Sequence, residues 1–406
     1  MQGFFNKKET ESIAATGGKV HSCASCGLYK HCRSPKMKPS GNFKKDIMII
    51  GNAPDEKDDE QGSHWTGKKG RLLKRELKKL GIDLFEDCLS LNAVNCLPNN
   101  KRPERDEIAH CRSVIVWKAL KKYQPKVVLL LGQDAVTSVI GQQWSGRDDL
   151  PTWRGFCIPD QDLKTWVCPT FAPEYLLRIE KPGQYLTVWR QDLERALNLI
   201  EKPLPRIGKV DIQLMDDCKF LEDIPSVLSS FDYETTGIKP HMKGHRIVCV
   251  SISTGPNHAY VFEAPKTKAG WQPFRKWLHN RQIPKMAHNM KFEHTWSKNI
   301  LKVHVRGWEW DSMIAAHIID NRKGITGLKF QTYARLGVPD YSTEVERYLK
   351  SVDDEHGANS KNRIVEAMKN RSSRENIMEY CGYDSVYQYR LALMQMEELE
   401  YQFLPF

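Results

Sequence analysis

The stretch Phe231-Asp232-Tyr233-Glu234-Thr235-Thr236-Gly237 carries the densest chemistry in the chain. Its residue types read as a β-strand, on which positions i and i+2 point to the same face. Asp232 and Glu234 then project together, about 7 Å apart along that face. Two carboxylates so placed repel unless a cation lies between them, and hard oxygen ligands select Mg²⁺ or Mn²⁺. A solvated acidic pair on an exposed strand is the plainer alternative. Two later segments weigh against it. Ala287-His288-Asn289-Met290-Lys291-Phe292-Glu293 runs from a strand into a helix and offers Asn289 and Glu293. Tyr380 and Asp384 stand four apart on a helix, hence on one of its faces.

Taken in order, the Asp-x-Glu strand, the segment from Asn289 to Glu293 and the Tyr380–Asp384 helix resemble the three motifs of the DnaQ-like 3′→5′ exonucleases. The resemblance is closest to the proofreading domain of family A DNA polymerases and covers residues 211–400. Gly327-Leu328-Lys329, followed by Ala334-Arg335-Leu336-Gly337, looks like that family's linker helix. One departure stands at Glu293, where the family's second motif ends in Asp. Glu is one methylene longer and still reaches a metal, directly or through water. Its other reading is a helix-start acid stabilised by the helix dipole. The resemblance implies two-metal hydrolysis of a phosphodiester. Asp232, Glu234 and Asp384 would hold one Mg²⁺, and Asp232 with Glu293 the second. Tyr380 would orient the attacking water, and Asn289 would contact the nucleic-acid backbone or hold its own loop.

Cys23-Ala24-Ser25-Cys26 is a C-x-x-C, which alone means zinc, redox chemistry or chance. Cys96 and Cys111 follow, fifteen residues apart. Four thiolates suit zinc or an iron–sulfur cluster equally by count. Their order resembles the family 4 uracil-DNA glycosylases over residues 20–200, and neighbouring motifs agree. These are Gly51-Asn52-Ala53-Pro54, Asp58-Asp59, Gly62, Trp65 to Leu73, Leu131-Gly132, Trp153-Arg154-Gly155 and Pro173 to Arg178. The resemblance implies a [4Fe–4S] cluster on Cys23, Cys26, Cys96 and Cys111 that ties the N-terminal arm to a sheet.

The glycosylase chemistry departs from the family. Asn52 stands where the family has an acid that helps activate water, and Ala172 where it has a histidine that stabilises the uracilate oxygen. Losing both costs several kcal/mol of barrier lowering, so the expectation is a domain that no longer excises uracil and instead binds DNA. Trp65 replaces the phenylalanine that stacks on a flipped base, and Asn92 stands where the family reads uracil's edge. Ordinary packing is the other reading of both. Lys68, Lys69 and Arg71, with Lys74 and Arg75, crowd one helix start, where backbone N–H groups also favour phosphate. A solvated basic face is the alternative there.

The elements that must position these residues alternate between short apolar runs and amphipathic helices. In the first half, strands are expected at Ile47–Ile50, Ser90–Val94, Val127–Leu131 and Trp166–Cys168. Helices are expected at Arg71–Leu80, Asp106–Tyr123 and Leu186–Ile200. This pattern implies a mainly parallel sheet covered on both faces. The second half restarts with strands at Ser230–Thr235, Arg246–Thr254 and Ala259–Glu263, an antiparallel or mixed set. Its helices are Trp271–His279, Phe292–Ile300, Ser312–Ile319, Leu328–Leu336 and a long one from Arg374 to Tyr401, with Lys350–Arg374 as a polar, mobile connection. Lys202-Pro203-Leu204-Pro205-Arg206-Ile207-Gly208-Lys209 reads as a semi-stiff linker.

The expected class is therefore α/β in two domains. Residues 1–203 form a uracil-DNA glycosylase-like parallel-sheet domain, 204–210 the linker, and 211–406 an RNase H-like (DnaQ-like) mixed-sheet exonuclease domain. A length of 406 residues fits two or three domains. The net charge of +11, of which +8 falls in the first 200 residues, favours an anionic partner. An odd count of eleven cysteines argues against a disulfide framework. No apolar run approaches the ~18 residues that cross a bilayer, and the N-terminus lacks a signal-peptide core, so a cytoplasmic protein is expected. The ending Glu397 to Phe406 looks like the junction to a polymerase thumb, and a family A DNA polymerase is the expected partner. The expected function is metal-dependent 3′→5′ exonuclease action on DNA. An active glycosylase fused to an exonuclease, and a non-catalytic replication factor, are the competing readings.

Overall fold

The computed structural model describes Cys23 and residues 25–99, 102–144, 147–350 and 360–401. The chain divides into two compact units at Pro203 and Leu204, with Ile158–Asp162 grouping with the second. Residues 203–210 have no regular secondary structure. Among the described residues no helix is long and apolar enough to cross a membrane.

The first sheet runs through β1 (Ile47–Gly51), β2 (Cys88–Asn92), β3 (Val127–Leu131), β4 (Ile158–Asp160) and β5 (Thr165–Thr170), in the order β2-β1-β3-β5-β4. The pairs β1–β2, β1–β3 and β3–β5 are parallel. Every residue of β1 and β3 is buried, as continuous apolar runs must be when helices cover both sheet faces. On one face, Ile47, Ile49 and Leu129 pack against Leu73 and Leu77 of α1 (Lys68–Lys79). The same cluster takes in Trp189 and Leu193 of a later helix, Gly183–Leu197. The segment expected as one helix over Asp106–Tyr123 runs as α2 (Arg105–Cys111), a π turn over Arg112–Val116, and a further helical stretch to Tyr123.

The second unit is a six-stranded mixed sheet. Its strands are β6 (Asp211–Met215), β7 (Ser229–Thr235), β8 (Ile247–Gly255), β9 (His258–Glu263), β10 (Lys285–Ala287) and β11 (Trp308–Asp311), ordered β11-β10-β7-β8-β9-β6. The pairs β7–β8 and β8–β9 are antiparallel, whereas β6–β9, β7–β10 and β10–β11 are parallel. The helices that matter for the site are α3 (Met290–Trp296), α4 (Ser312–Ile319), α5 (Leu328–Leu336) and α6 (Arg371–Glu398). The bounds of α4 and α5 are those expected from the sequence. Strands β6 and β11 were not expected. Asp211–Met215 is mostly exposed at the sheet edge and carries no apolar alternation strong enough to announce it. Of the polar connection Lys350–Arg374, residues 351–359 lie outside the described part. In the remainder, Ile364–Ala367 forms a helical turn whose Ile364 is fully buried.

Asp311 ties two helices to this sheet. Its carboxylate accepts N–H bonds from Asn289 and Met290 at the start of α3 (3.1 and 2.9 Å). It also accepts from Met313 and Ile314 at the start of α4 (2.9 and 3.2 Å). One buried acid thus satisfies donors that both helix starts would otherwise leave open. Asp311→Ala is expected to lower stability by roughly 2–3 kcal/mol, and Asp311→Asn by less because it keeps an acceptor. Urea unfolding of the two variants beside wild type measures this, and equal losses would remove the capping role.

Candidate functional site

The site starts from the period of a strand. Phe231 and Tyr233 on β7 turn to one face and bury among Phe274, Trp277 and Ile252. Ser230, Asp232 and Glu234 must then face the other way, opposite Ser253, Ser251 and Cys249 of β8. Helix α6 lies across that face. Ser230 Oγ donates to Ser385 O and Ser251 Oγ to Cys381 O, both at 2.6 Å. Gly382 permits the close approach, since a Cβ there would stand 2.9 Å from Ile212 Cγ2 and 3.0 Å from Val261 Cγ2. Asp384 is thereby carried to the Asp232 side of the sheet.

Carboxylates from three elements converge. Ligand atoms of Asp232, Glu234 and Cys381 lie within 4.8 Å of one another. Burial, and then the charge of Asp384, push the Asp232 carboxyl well above the usual range. Burial, with Asp232 beside it, does the same to Glu234. Glu293, in the first turn of α3, is 1% exposed, and its Oε2 has no hydrogen-bond partner. Burial and the charge of Asp232 raise it also. Asp232 is thus the centre, with Glu234, Glu293 and Asp384 around it. Asn289 sits in the left-handed region (φ 73°) at the start of α3, and its backbone N–H goes to Asp311. Tyr380 is buried on the same face of α6 as Asp384.

Two residues at this site were not among the expected ones. Lys329 of α5 forms an ion pair with Asp384 and stands 4.3 Å above the Tyr380 ring centroid. Tyr341 donates its hydroxyl to Asp384 Oδ1 at 2.6 Å. Lys329 lay inside a segment already marked by Gly327-Leu328-Lys329, which could have drawn attention to it. Tyr341 sits in a loop with no local signal. The donor set fits divalent cations. Four carboxylates made largely of hard oxygen donors share one buried site, one of their oxygens is unpartnered, and among the described residues Lys329 is the cation acting on Asp232 and Glu234.

In the first unit the expected cysteines gather under the loop after β2. Cys96 and Cys111 are buried with Leu28, Val94 and Ile108, and Cys26 packs against them. Cys111 also senses the thiols of Cys23 and Cys26. Cys96 Sγ accepts the N–H of Lys36 at 3.3 Å, and Cys111 Sγ that of Asn95 at 3.4 Å. Burial pushes these thiols up to about 12 and about 11, so a positively charged centre is needed to hold them as thiolates. Cys32, a possible substitute ligand that sits where the resembled family places none, packs against the same cluster and donates to Leu28 O at 3.2 Å. None of the eleven cysteines is in a disulfide.

Trp65 and Asn92, expected to face a base, are both buried. Trp65, at φ 65°, is 5% exposed, and its indole would lie 2.8 Å from a Cβ on Gly51. Asn92 is 2% exposed and its Nδ2 meets His64 Nδ1 at 3.0 Å. Lys69, expected among the phosphate contacts, is a correction: it is buried and committed to Asp58 Oδ2 and Ala53 O, both at 2.9 Å. Lys68, Arg71 and Lys74 remain exposed on α1. Asn52 accepts from Asp134 N at 2.9 Å and donates to Glu174 Oε1 at 2.7 Å.

Fold and site together describe an α/β protein with a buried acidic centre in one unit and a thiol nest in the other. Residues 39–194 match the uracil DNA glycosylase superfamily and residues 206–400 the 3′–5′ exonuclease family. A type-4 uracil-DNA glycosylase of Thermotoga maritima is 30% identical over 193 residues, which are 47% of this chain and 96% of that protein. A DNA polymerase of Bacillus phage SP01 is 24% identical over 320 residues, 71% of this chain. The chain spans about a third of that polymerase's length (34%). A solved structure, Brucella melitensis NrnC with bound Mg²⁺, is 21% identical at a TM-score of 0.36, covering 48% of this chain and 83% of that one. The chain belongs to the uracil-DNA glycosylase superfamily through its first half, and its second half is a 3′–5′ exonuclease domain.

Glu293 provides a test that needs no substrate. Its raised folded value means that the native state keeps a proton which the unfolded chain releases above about 4.5, an ordinary glutamate's value. Wild-type stability therefore falls as pH rises from there through the folded value. Glu293→Gln removes this penalty and is expected to stabilise EDTA-treated protein by roughly 1–3 kcal/mol at pH 8. The gain should vanish near pH 4.5. Thermal melts at the two pH values check the sign, and a variant less stable at pH 8 would contradict it.

Proposed function

We propose that the protein is a metal-dependent 3′→5′ exodeoxyribonuclease whose glycosylase-like domain is catalytically silent and holds DNA. The observation that carries this is the convergence of Asp232, Glu234, Glu293 and Asp384 on one buried site. Asp232, Glu234 and Asp384 are the ligands assigned to one Mg²⁺ or Mn²⁺, and Asp232 with Glu293 to the second. Divalent ions bound there supply an activated hydroxide and neutralise the leaving 3′ oxygen. Tyr380 orients the attacking water. Asp232 shares its strand face with Glu234, and its charge acts on Glu234 and Glu293 alike. Asn289, through its left-handed turn, starts the helix that delivers Glu293.

Cys23, Cys26, Cys96 and Cys111 are assigned to a [4Fe–4S] cluster. The type-4 relatives and the two N–H bonds onto sulfur support this. Such a cluster ties the N-terminal arm to the segment after β2. Lys68 and Arg71, at the exposed start of α1, are assigned to phosphate contact. Silence of the glycosylase centre is supported by Asn52 and Ala172, neither of which exchanges a proton, and by Trp65 lying against Gly51 where a base would enter. The alignment with the phage polymerase is longer than either half of this chain and so crosses both. This supports proofreading beside a family A polymerase, on a 3′ end that is single-stranded or frayed.

One observation favours a second reading, in which uracil excision survives. Asn52 presents an acid after all, because its amide holds the carboxylate of Glu174. Two assays separate the readings. On a 5′-labelled primer with matched or mismatched 3′ ends, Asp232→Ala with Glu234→Ala, or EDTA, should cut mononucleotide release by about a thousandfold or more, roughly 4 kcal/mol of barrier. Degradation by the double variant at the wild-type rate would refute the nuclease. On uracil-containing DNA no abasic sites should form. Uracil release that Glu174→Gln abolishes would instead establish the second reading.

A further inference from the structure

The cation in the carboxylate cluster comes from outside the three motifs. Lys329, the second residue of α5, directs its ammonium to Asp384 Oδ1, the oxygen that also receives the hydroxyl of Tyr341. The ammonium stands 4.3 Å from the ring centroid of Tyr380 and 4.8 Å from that of Tyr341. Its side chain is only 20% exposed and that of Asp384 7%. A surface lysine keeps its ammonium in water, but this one lies between two ring faces and one carboxylate.

The arrangement has an electrostatic consequence. An ammonium and a divalent ion on the same carboxylate repel, and the repulsion is strong where water is scarce. The ring faces of Tyr380 and Tyr341 offer the ammonium a seat that does not need Asp384, through cation–π attraction. We propose that Lys329 is a built-in countercation: it holds Asp384 in the metal-free protein and competes with a divalent ion for that carboxylate, thereby setting how tightly the cluster binds metal. It is a positioning residue, acting through Asp384. The inference rests on the nuclease reading above, since it needs a cluster that takes up divalent ions.

The test is a Mn²⁺ titration of the full chain after dialysis against EDTA, with free Mn²⁺ followed by electron paramagnetic resonance. Asp232→Ala sets the background for ions bound elsewhere. Lys329→Met, which keeps the length and loses the charge, should bind Mn²⁺ at least about tenfold more tightly than wild type, a change of about 1.4 kcal/mol. Lys329→Arg, which keeps the charge, should stay within about threefold of wild type. Unchanged or weaker binding in Lys329→Met overturns the countercation while leaving the nuclease reading intact. Should Lys329→Met fail to fold, Lys329→Gln carries the same expectation and the same refutation. Wild type that binds no more Mn²⁺ than Asp232→Ala defeats both the nuclease site and this inference.

Discussion

The second unit is organised around an electrostatic conflict. Four carboxylates share a buried space, and their mutual repulsion, together with the loss of water, opposes ionisation of Asp232, Glu234 and Glu293. At the cluster itself Lys329 and Tyr341 hold Asp384, and the rest of the restraint comes from the surrounding frame. Phe231 and Tyr233 lock β7 into the aromatic core from behind. Ser230 and Ser251 pin α6 across the front, and Gly382 lets it lie close. Asp311 fixes α3, and with it Glu293, to the edge of the same sheet. Every one of these contacts is ordinary packing or hydrogen bonding, and together they keep in place a cluster that would otherwise spread apart. A divalent cation seated among these carboxylates would relieve the conflict.

In the first unit the frame follows the glycosylase pattern more closely than the polar side chains do. The strands, the cysteine nest and the loop after β1 follow the glycosylase pattern, because they serve folding as well as catalysis. The side chains that would move protons do not follow it. Asn52 is satisfied by Asp134 N and Glu174, and Asn92 by His64. Trp65 turns its indole onto Gly51. These polar groups are closed onto each other, and each such bond spares a buried donor or acceptor the cost of going unpaired. What faces outward is positive charge on Lys68, Arg71 and Lys74.

Much of this was legible in the sequence. The buried strands Ile47–Gly51 and Val127–Leu131, the Asp232–Glu234 strand and the helices Ser312–Ile319 and Leu328–Leu336 follow from local periodicity, because a strand or helix that buries one face must repeat its apolar residues at that element's own period. So does the pairing of Tyr380 with Asp384 on one helix face. The edge strand Asp211–Met215 was not legible. Its pairing comes from β9, more than forty residues later in the chain, and its own side chains are mostly exposed.

The sequence by itself determined which residue types are available and which face of its own element each occupies, since those depend only on bonds and short-range backbone geometry. Only the tertiary structure decided who meets whom. It brought Glu293 to Asp232, spent Lys69 on Asp58 in place of solvent, and seated Lys329 on Asp384. Contacts between residues tens to hundreds of positions apart are set by how whole elements pack, and a charged side chain's role depends on the partner that packing hands it. For a lysine on a helix the local pattern is the same whether it ends in water or in a carboxylate cage.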